Sequence, residues 1–179
     1  MKKEIILKSN GFILRLYKKG DELSLSKNAN NKKIAQNMFL GFPSPYTLEE
    51  AKKWVGICLK KNKIGPIIGF VIDIDGEVAG TVGGEIDKKK PFMLGFGYWL
   101  GEKYWGKGIM SEATKLYIDY IFKNFKKINR IESSVFPWNE GSKKVLLKNG
   151  FKLEGVFRKS YSKDNKIIDV YHFAKLRNE

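Results

Sequence analysis

The most constraining feature of the sequence is a change of pattern over residues 97–113, from a strand through a glycine-rich loop to a helix. Residues 97–100 end a predicted strand, Gly106 and Gly108 lie in the loop, and apolar residues recur at helical spacing from Ile109. A strand-to-helix junction of this kind directs unpaired backbone N–H groups and the positive end of a helix dipole to one point. The segment therefore predicts an anion-binding loop with a phosphate group as its typical ligand, although the two glycines could also form only a tight turn.

Two common phosphate-binding motifs do not fit this segment. A P-loop requires Ser or Thr after its Gly-Lys pair to bind magnesium, whereas Lys107 is followed by Gly108. A dinucleotide-binding fingerprint requires a third glycine and an acidic residue about 20 positions later. Ser111 stands at the third glycine position and residues 125–130 contain no acidic side chain. The segment is therefore neither a P-loop nor a dinucleotide-binding fingerprint.

Hydrophobic periodicity predicts further strands and helices on both sides of this segment. A two-residue hairpin is indicated at Asp75-Gly76, and a second turn at Asp164-Asn165. The predicted strands span residues 12–17, 66–74, 77–86, 92–100, 130–136, 151–159 and 166–176, and the predicted helices span 21–38, 47–59, 109–125 and 139–149.

The order of these elements predicts a mixed α/β (α+β) fold, with a mainly antiparallel sheet of six or seven strands flanked by about four helices. The chain has 179 residues and no internal repeat or linker, so one domain over residues 1–179 is expected. Gly95 and Gly97 interrupt the predicted strand 92–100. Isolated glycines in a strand indicate a bulge or the close approach of another backbone or a ligand.

Composition excludes several other classes of protein. Cys58 is the single cysteine and His172 the single histidine, so no internal disulfide and no Cys-based metal site are expected. Cys58 falls on the apolar stripe of helix 47–59, where a packing role is expected. The net charge of +15 comes mainly from lysine, which favours a solvated surface that attracts anions over a dedicated nucleic-acid face.

The N-terminus and the rest of the chain offer no membrane or export signal of sufficient length. The apolar run within residues 1–8 is three residues long, shorter than the roughly 7–15 of a signal peptide. No stretch approaches the roughly 20 apolar residues of a membrane span. A cytoplasmic protein without a membrane partner is therefore expected.

Short motifs in a fixed order extend over nearly the whole chain. They are Phe42-Pro43-Ser44-Pro45-Tyr46-Thr47, Gly97-Tyr98-Trp99-Leu100, Trp105-Gly106-Lys107-Gly108, Asn139, Ser142, Lys148-Asn149-Gly150-Phe151, Glu154-Gly155 and Arg158. With this order and spacing the chain resembles the GNAT superfamily of N-acetyltransferases, and within it the group of ribosomal-protein alanine acetyltransferases (RimJ/RimL-like). The chain departs from the family at Trp105, where Gln or Arg is usual, and at Met110, where Gly or Ala is usual.

The resemblance implies acetyl-CoA as the co-substrate and no metal. Acetyl-CoA would lie where two adjacent strands splay apart, with its pantetheine arm along strand 92–100 and its pyrophosphate on the N–H groups of residues 105–110. The cofactor-binding residues implied in this way are Tyr98, Trp99, Leu100, Trp105, Gly106, Lys107, Gly108, Ile109, Met110, Asn139 and Ser142. Plainer roles stay open, because Asn139 can serve as a helix N-cap and the two tryptophans can serve in packing.

The resemblance also implies acetyl transfer by direct attack of an amine in a ternary complex, without a protein nucleophile. Many relatives place a tyrosine general acid in the helix after Asn139, at the position that holds Leu146 here. Ser142, one turn into that helix, is the predicted substitute, and a first-turn capping role is its alternative.

The general base is predicted to be Glu85, at the end of the strand that precedes strand 92–100. Glu102 and Asp169 remain alternatives, and a solvated strand-end role for Glu85 stays open. His172 alternates with aromatic residues in the last predicted strand, where a structural role is expected.

The expected activity is that of an acetyl-CoA-dependent N-acetyltransferase acting on a protein N-terminal amine or a small-molecule amine. A ribosomal protein is a candidate acceptor, and the loops around residues 20–45 and 155–167 would shape the acceptor pocket. The protein is expected to be a monomer or a homodimer, and nucleic acid is not an expected partner. The alternative is a catalytically inactive, basic RNA- or ribosome-associated module on the same fold.

Overall fold

The computed structural model describes residues 6–61 and 67–179 and contains one eight-stranded sheet. The strands are β1 Ile6–Ser9, β2 Phe12–Arg15, β3 Ile67–Ile74, β4 Glu77–Ile86, β5 Met93–Leu100, β6 Arg130–Val135, β7 Lys152–Lys163 and β8 Lys166–Leu176. The helices are α1 Asp21–Ala29, α2 Lys32–Ala35, α3 Leu48–Lys61, α4 Ile109–Asn124 and α5 Glu140–Lys148.

The strand order across the sheet is β1-β2-β3-β4-β5-β6-β8-β7. All neighbouring pairs are antiparallel except β5 and β6, which are parallel. A parallel pair requires a crossover connection, and α4 supplies it between β5 and β6. The predicted mixed fold with a mainly antiparallel sheet is confirmed.

The structure adds one strand to the predicted sheet. The four residues of β1 pair with β2 through a tight turn at Gly11, whose φ of 85° is readily adopted only by glycine. The sequence offers little signal for so short a strand, because residues 6–9 show no clear alternation of apolar and polar side chains. The predicted start of the third strand at Pro66, and residues 1–5, lie outside the described residues.

The predicted helix over residues 21–38 is two helices. The first ends at Ala29, and Asn31 begins the second by accepting a hydrogen bond from the backbone N–H of Lys33 through its side-chain oxygen, at 2.7 Å. Asparagine side chains compete for backbone groups in this way and favour helix ends over helix interiors. The break turns residues 32–39 toward the sheet, where they line the cavity described below.

Two hydrophobic cores lie on opposite faces of the sheet. Helices α4 and α5 pack on one face, with Tyr117 and Leu146 fully buried there. Helices α1 and α3 pack on the other face, where Cys58 is buried as predicted. Strand β5 contributes to both, because its alternation places Phe96 in the first core and Trp99 in the second.

Both predicted hairpin turns are confirmed. Asp75 and Gly76 have φ values of 52° and 84°, and Asp164 and Asn165 have φ values of 50° and 59°. Positive φ at both central residues is the geometry that matches the right-handed twist of the flanking strands.

A buried ion cluster joins the sheet to α1. The guanidinium of Arg15 on β2 donates to both oxygens of Asp21 at 2.8 and 2.9 Å, and its Nε donates to Asp73 on β3 at 2.6 Å. The side chains of Arg15 and Asp21 are 4% and 2% exposed. The cluster fixes the start of α1, which leads into residues 32–39.

Asp21→Ala is expected to lower the free energy of unfolding by about 3–5 kcal/mol, because it leaves the buried guanidinium with one carboxylate in place of two. Urea denaturation measures this change. Glu49→Ala removes an exposed ion pair with Lys52 and serves as the control, which should keep the wild-type midpoint. Equal midpoints for the two variants would contradict the structural role of the cluster.

Candidate active site

The site begins where β5 and β6 part. The two strands pair over only three residues, Met93–Gly95 with Arg130–Glu132, although β5 continues to Leu100 and β6 to Val135. Residues 96–100 remain paired with β4. Within the described part of the chain they have no strand partner on the other edge. The result is a V-shaped cleft with its vertex at Gly95 and Glu132.

A cavity of about 1000 Å³ opens in this cleft. Its volume is at the upper end of the range for small-molecule and cofactor sites. The predicted cofactor-binding residues that line it are Tyr98, Trp99, Leu100, Trp105, Gly106, Gly108, Ile109, Met110, Asn139 and Ser142. Lys107 is exposed and lies outside the cavity wall, with its Nζ 6.0 Å from the ring centroid of Tyr104.

The loop between β5 and α4 presents unpaired backbone amides to the cavity. Gly106 and Gly108 both have a φ of 74°, a left-handed backbone that glycine adopts without strain. Gly108 is the N-cap of α4 and offers no side-chain cap. Over residues 6–61 and 67–179, no hydrogen-bond partner is found for the N–H groups of residues 106–111. The loop thus has the geometry of a phosphate-binding helix N-terminus.

The free amides begin at Gly106, one residue later than predicted. The N–H of Trp105 donates to the carbonyl of Glu102 at 3.0 Å, in a short 3₁₀ turn over Glu102–Tyr104, and is not directed into the cavity. The indole of Trp105 instead donates to the carbonyl of Leu100 at 2.7 Å, which fixes the loop to the end of β5. Trp99 is 8% exposed and packs in the α1–α3 core, so the packing role left open for it is realised at the cavity wall.

Gly95 and Gly97 form an open floor along β5. A Cβ atom at Gly97 would meet nothing within 4 Å, and one at Gly95 would meet only the carbonyl of Glu85 at 3.9 Å. By contrast, a Cβ at Gly84 on β4 would lie 2.5 Å from Leu94 and 2.6 Å from the carbonyl of Gly95. Internal packing therefore explains Gly84 but not Gly97, whose missing side chain leaves room in the cleft.

Asn139 and Ser142 occupy the wall formed by α5. The Asn139 side chain accepts a hydrogen bond from the N–H of Ser142 at 3.1 Å, so the capping role is present at a residue that also lines the cavity. The Ser142 hydroxyl lies 2.8 Å from the phenol oxygen of Tyr98 on β5. Burial raises the pKa of Tyr98, and the hydrogen bond with Ser142 opposes this shift without cancelling it. The phenol therefore stays protonated at neutral pH and can donate a proton.

Tyr98 supplies a phenol that α5 lacks. Leu146, at the position of the family's tyrosine, is fully buried in the core, and Ser142 and Val145 face the cavity. From the sequence, Tyr98 is predicted only to contact the cofactor. The signal that could have found the pair is the alternation of β5, which puts Tyr98 on the same face of the sheet as Phe96 and α5.

The structure does not bring the predicted base into the cavity. Glu85 is exposed on β4 opposite Gly95, and it is absent from the cavity wall. The alternatives are held in structural contacts: Glu102 accepts hydrogen bonds from Lys33 and Asn31, and Asp169 accepts one from the N–H of Lys159 at 2.9 Å. The hydrogen bond from Lys33 is the main cause that lowers the pKa of Glu102.

Two carboxylates that were not predicted line the cavity in the described part of the chain: Glu140, which pairs with Lys143 on α5, and Glu132. Glu132 lies on β6 directly across from Gly95, so it occupies the same row of the sheet as Glu85. Its Oε2 lies 3.4 Å from Nε2 of His172, and His172 also lines the cavity. Only the pairing of β6 with β8 brings these residues together, and separate strand patterns do not specify that pairing.

The wall opposite β6 and β8 comes from residues 33–39, and the β7–β8 hairpin holds it in place. Lys163 on β7 donates to the carbonyls of Ala35 and Met38 at 3.2 and 2.7 Å. The hydroxyl of Tyr161 accepts a hydrogen bond from the N–H of Leu40 at 2.5 Å. The two loop regions expected to shape an acceptor pocket thus meet here.

The described residues contain neither a cluster of metal ligands nor a helix that could span a membrane. Among residues 6–61 and 67–179, no group of three His, Cys, Asp or Glu side chains could hold a metal ion. In the same part of the chain, every helix is too short or too polar to cross a membrane.

Comparison with known proteins identifies a family. The family model described as an acetyltransferase (GNAT) domain matches residues 12–152. An uncharacterized N-acetyltransferase, p20, from Bacillus licheniformis is 40% identical over 110 residues, which are 62% of this chain and 61% of that protein. The match thus spans less than two thirds of this curated relative.

Solved structures match over nearly the full length. A ribosomal-protein alanine acetyltransferase from Vibrio fischeri superposes with a TM-score of 0.86 and 26% identity, over 98% of both chains. The ribosomal-protein acetyltransferase RimL in complex with coenzyme A superposes with a TM-score of 0.86 and 23% identity, over 96% of this chain and 98% of that one.

Gly84→Ala is expected to destabilise the protein by about 1–3 kcal/mol, because the new methyl group would overlap Leu94 and the β5 backbone. Gly97→Ala is the matched variant on the neighbouring strand, and its free energy of unfolding should stay within about 0.5 kcal/mol of the wild type. Chemical denaturation compares the two. A larger loss for Gly97→Ala would mean that the cleft floor is packed against protein.

Proposed function

The chain belongs to the GNAT acetyltransferase family, and we propose that it transfers the acetyl group of acetyl-CoA to a primary amine by direct attack in a ternary complex. The observation that carries the proposal is the cleft between β5 and β6, with unpaired amides at residues 106–111 at one end. This arrangement suits a ligand with a diphosphate at one end and an extended, amide-containing arm.

The loop is proposed to hold the pyrophosphate of acetyl-CoA. The N–H groups of residues 106–111 converge at the positive end of α4, which stabilises an anion. Lys107 adds positive charge at the rim, and the net charge of +15 attracts an anionic ligand to the surface. Trp105 holds the loop through its indole, so its contribution is to the shape of the loop.

The free edge of β5 is proposed to pair with the pantetheine arm. Residues 96–100 have backbone groups without a strand partner on the cleft side in the described chain, and buried backbone groups need a partner or water. Gly95 and Gly97 leave space for the arm. Because the phosphate loop follows Leu100, the arm would run back along β5 and place the thioester toward the vertex of the cleft.

Acetyl transfer requires a neutral amine, a polarised thioester carbonyl and a proton for the departing thiolate. An unpaired N–H of β5 on the vertex side of Tyr98 would polarise the carbonyl, because Trp99 and Leu100 lie beside the phosphate loop at the other end of the arm. The phenol of Tyr98, hydrogen-bonded to Ser142, would protonate the thiolate. Ser142, the predicted acid, thus acts together with Tyr98, and Asn139 would contact the pantetheine amides from the start of α5.

The acceptor is proposed to be the N-terminal amine of a peptide or protein, with a ribosomal protein as the candidate. The similarity to a ribosomal-protein alanine acetyltransferase supports this class. A second cavity of about 360 Å³ shares Gln36 and Trp138 with the first and is also lined by Lys163, Asp164 and Lys166. It offers room for the residues that follow an acceptor N-terminus.

The remaining expectations are part of the same proposal. A single sheet that includes both β1 and β8 supports one domain over residues 1–179. A cytoplasmic location stays a prediction. A monomer or a homodimer stays a prediction. The inactive RNA-associated alternative is not favoured, because an RNA surface requires neither the loop amides nor the open β5 edge.

Coenzyme A is expected to raise the thermal midpoint of the wild type, and a ligand at 100 times its Kd adds about 2.7 kcal/mol of stability. Gly97→Val should lose most of this shift, because its side chain fills the cleft floor while meeting no protein atom at Cβ. Differential scanning fluorimetry with and without coenzyme A measures both, and Gly56→Val on α3, outside the cavity wall and equally free of contacts at Cβ, is the control that keeps the shift. A wild type without a shift would refute the proposal.

Tyr98→Phe is expected to lower kcat by about 10²-fold while leaving the thermal shift by coenzyme A intact, because it removes only the proton donor. Since burial raises the pKa of Tyr98, wild-type activity should not fall from loss of this proton below pH 10. Release of free thiol from acetyl-CoA with peptide acceptors measures the rate.

Tyr120→Phe removes a phenol of α4 that lies against Phe70 and outside the cavity wall, so it is the matched control and should keep full activity. Full activity of Tyr98→Phe would exclude the phenol as the donor.

A further inference from the structure

We propose that His172 accepts the proton of the acceptor amine, with Glu132 and Ser134 as its positioning residues. The inference rests on the proposed function, since it assigns the base for that reaction. It replaces Glu85, which the structure leaves outside the cavity wall.

The register of β6 and β8 builds the cluster. Ser134 lies directly opposite His172, and Glu132 is two residues before Ser134 on the same face of β6. Nδ1 of His172 lies 3.2 Å from the Ser134 hydroxyl, and Nε2 lies 3.4 Å from Glu132. All three residues line the main cavity.

The imidazole is held in a defined orientation. The ring of Phe157 on β7 stacks on it, with centroids 5.1 Å apart and an interplanar angle of 13°. The His172 side chain is 17% exposed, so it is largely enclosed but still reaches the cavity. A base must be fixed and must also be accessible to the amine.

The cluster lies on the acceptor side of the cleft. Ser133 and Phe173 point to the face of the sheet that carries α4 and α5. Glu132, Ser134 and His172 point to the opposite face. Tyr98 and Ser142 lie on the α5 side. The proton acceptor and the proton donor are therefore on opposite sides of the position proposed for the thioester.

The charged groups around the imidazole come from two elements. Strand β6 contributes Glu132 and Arg130, and β7 contributes Glu154, whose pKa is lowered chiefly by Arg130 and also by His172. Arg130 pairs with both carboxylates. The two carboxylates and the single guanidinium together carry a net negative charge beside His172. This charge is the counterion that an imidazolium needs.

The neighbours of the imidazole favour one nitrogen as the proton acceptor. Nε2 faces the Glu132 carboxylate at 3.4 Å, which favours the hydrogen on Nε2 and leaves Nδ1 as the acceptor beside the Ser134 hydroxyl. The Glu132 carboxylate is already engaged by Arg130 and His172 and is poorly placed to take another proton. Nδ1 can accept the amine's proton directly or through the Ser134 hydroxyl, which gives one proton and receives one.

The acceptor ammonium gives one proton to Nδ1 of His172, and its nitrogen lone pair then attacks the thioester carbonyl carbon. The C–N bond forms, the C–S bond breaks, and the thiolate takes the proton of Tyr98. The second proton on the nitrogen restores Tyr98. The products are an amide, coenzyme A as the thiol and an imidazolium that releases its proton to water.

A base is needed only where the amine is protonated. An N-terminal amine has an ordinary pKa of about 7.7–8.0, so most of it carries a proton at pH 7 and nearly none at pH 9.5. At pH 7 roughly a tenth of such an amine is already neutral and can react without a base. His172→Gln should therefore lose about tenfold in kcat/KM at pH 7 and recover most of that loss at pH 9.5.

The experiment measures kcat/KM from pH 6 to pH 9.5 with saturating acetyl-CoA and peptides beginning with Ala, Ser or Met. It compares the wild type with His172→Gln, Glu132→Gln and Ser134→Ala, and records the thermal shift by coenzyme A for each. Glu132→Gln should keep partial activity, with a loss larger at pH 7 than at pH 9.5, because the imidazolium loses its counterion. Glu85→Gln is the control and should match the wild type.

The outcomes separate the two proposals. A wild type that binds no coenzyme A and acetylates no peptide refutes the proposed function. An active wild type with His172→Gln equally impaired at pH 7 and pH 9.5, or not impaired, overturns the assignment of His172 alone. If His172→Gln does not fold, a pH-dependent loss in Ser134→Ala supports the assignment, and a wild-type profile for both Ser134→Ala and Glu132→Gln overturns it.

Discussion

The parting of β5 and β6 after three residue pairs is the constraint on which the rest of the structure depends. A sheet normally satisfies its backbone groups by pairing, and this one does so on both sides of the cleft, through β4 and β8. At the cleft the edge of residues 96–100 and the amides of residues 106–111 are left facing the same cavity. Leaving such groups buried without partners costs free energy, so the arrangement is stable only with water or a polar ligand there.

The same split divides the cavity into two chemical halves. On the α5 side, a buried phenol with a raised pKa is hydrogen-bonded to a serine. On the other side, an imidazole lies between a hydroxyl and a carboxylate. Alternation along β5 and β8 directs Tyr98 and His172 to opposite faces of the sheet, so the two groups can act on opposite sides of one thioester.

Local features of the fold could be predicted from the sequence, because they depend on short-range geometry. The hairpin at Asp75-Gly76, the loop glycines before α4 and the cap at Asn139 follow from backbone preferences that the neighbouring residues do not alter. The helix break after Ala29 was not predicted, because the polar stretch over residues 21–38 is long enough for one continuous helix, although the adjacent Asn30 and Asn31 favour a helix end. Strand β1 was missed because four residues are too few for periodicity.

Only the part of the site that is contiguous in the sequence could be predicted. The phosphate loop is contiguous in sequence, whereas Tyr98 meets Ser142 across 44 residues and Ser134 meets His172 across 38. Such contacts depend on strand order and register, which one sequence does not specify. Amide hydrogen–deuterium exchange with and without coenzyme A measures directly whether the backbone groups of the cleft hold the ligand. Exchange at residues 96–100 and 106–111 should become slower when coenzyme A binds. Unchanged exchange in both segments at saturating coenzyme A would contradict this role.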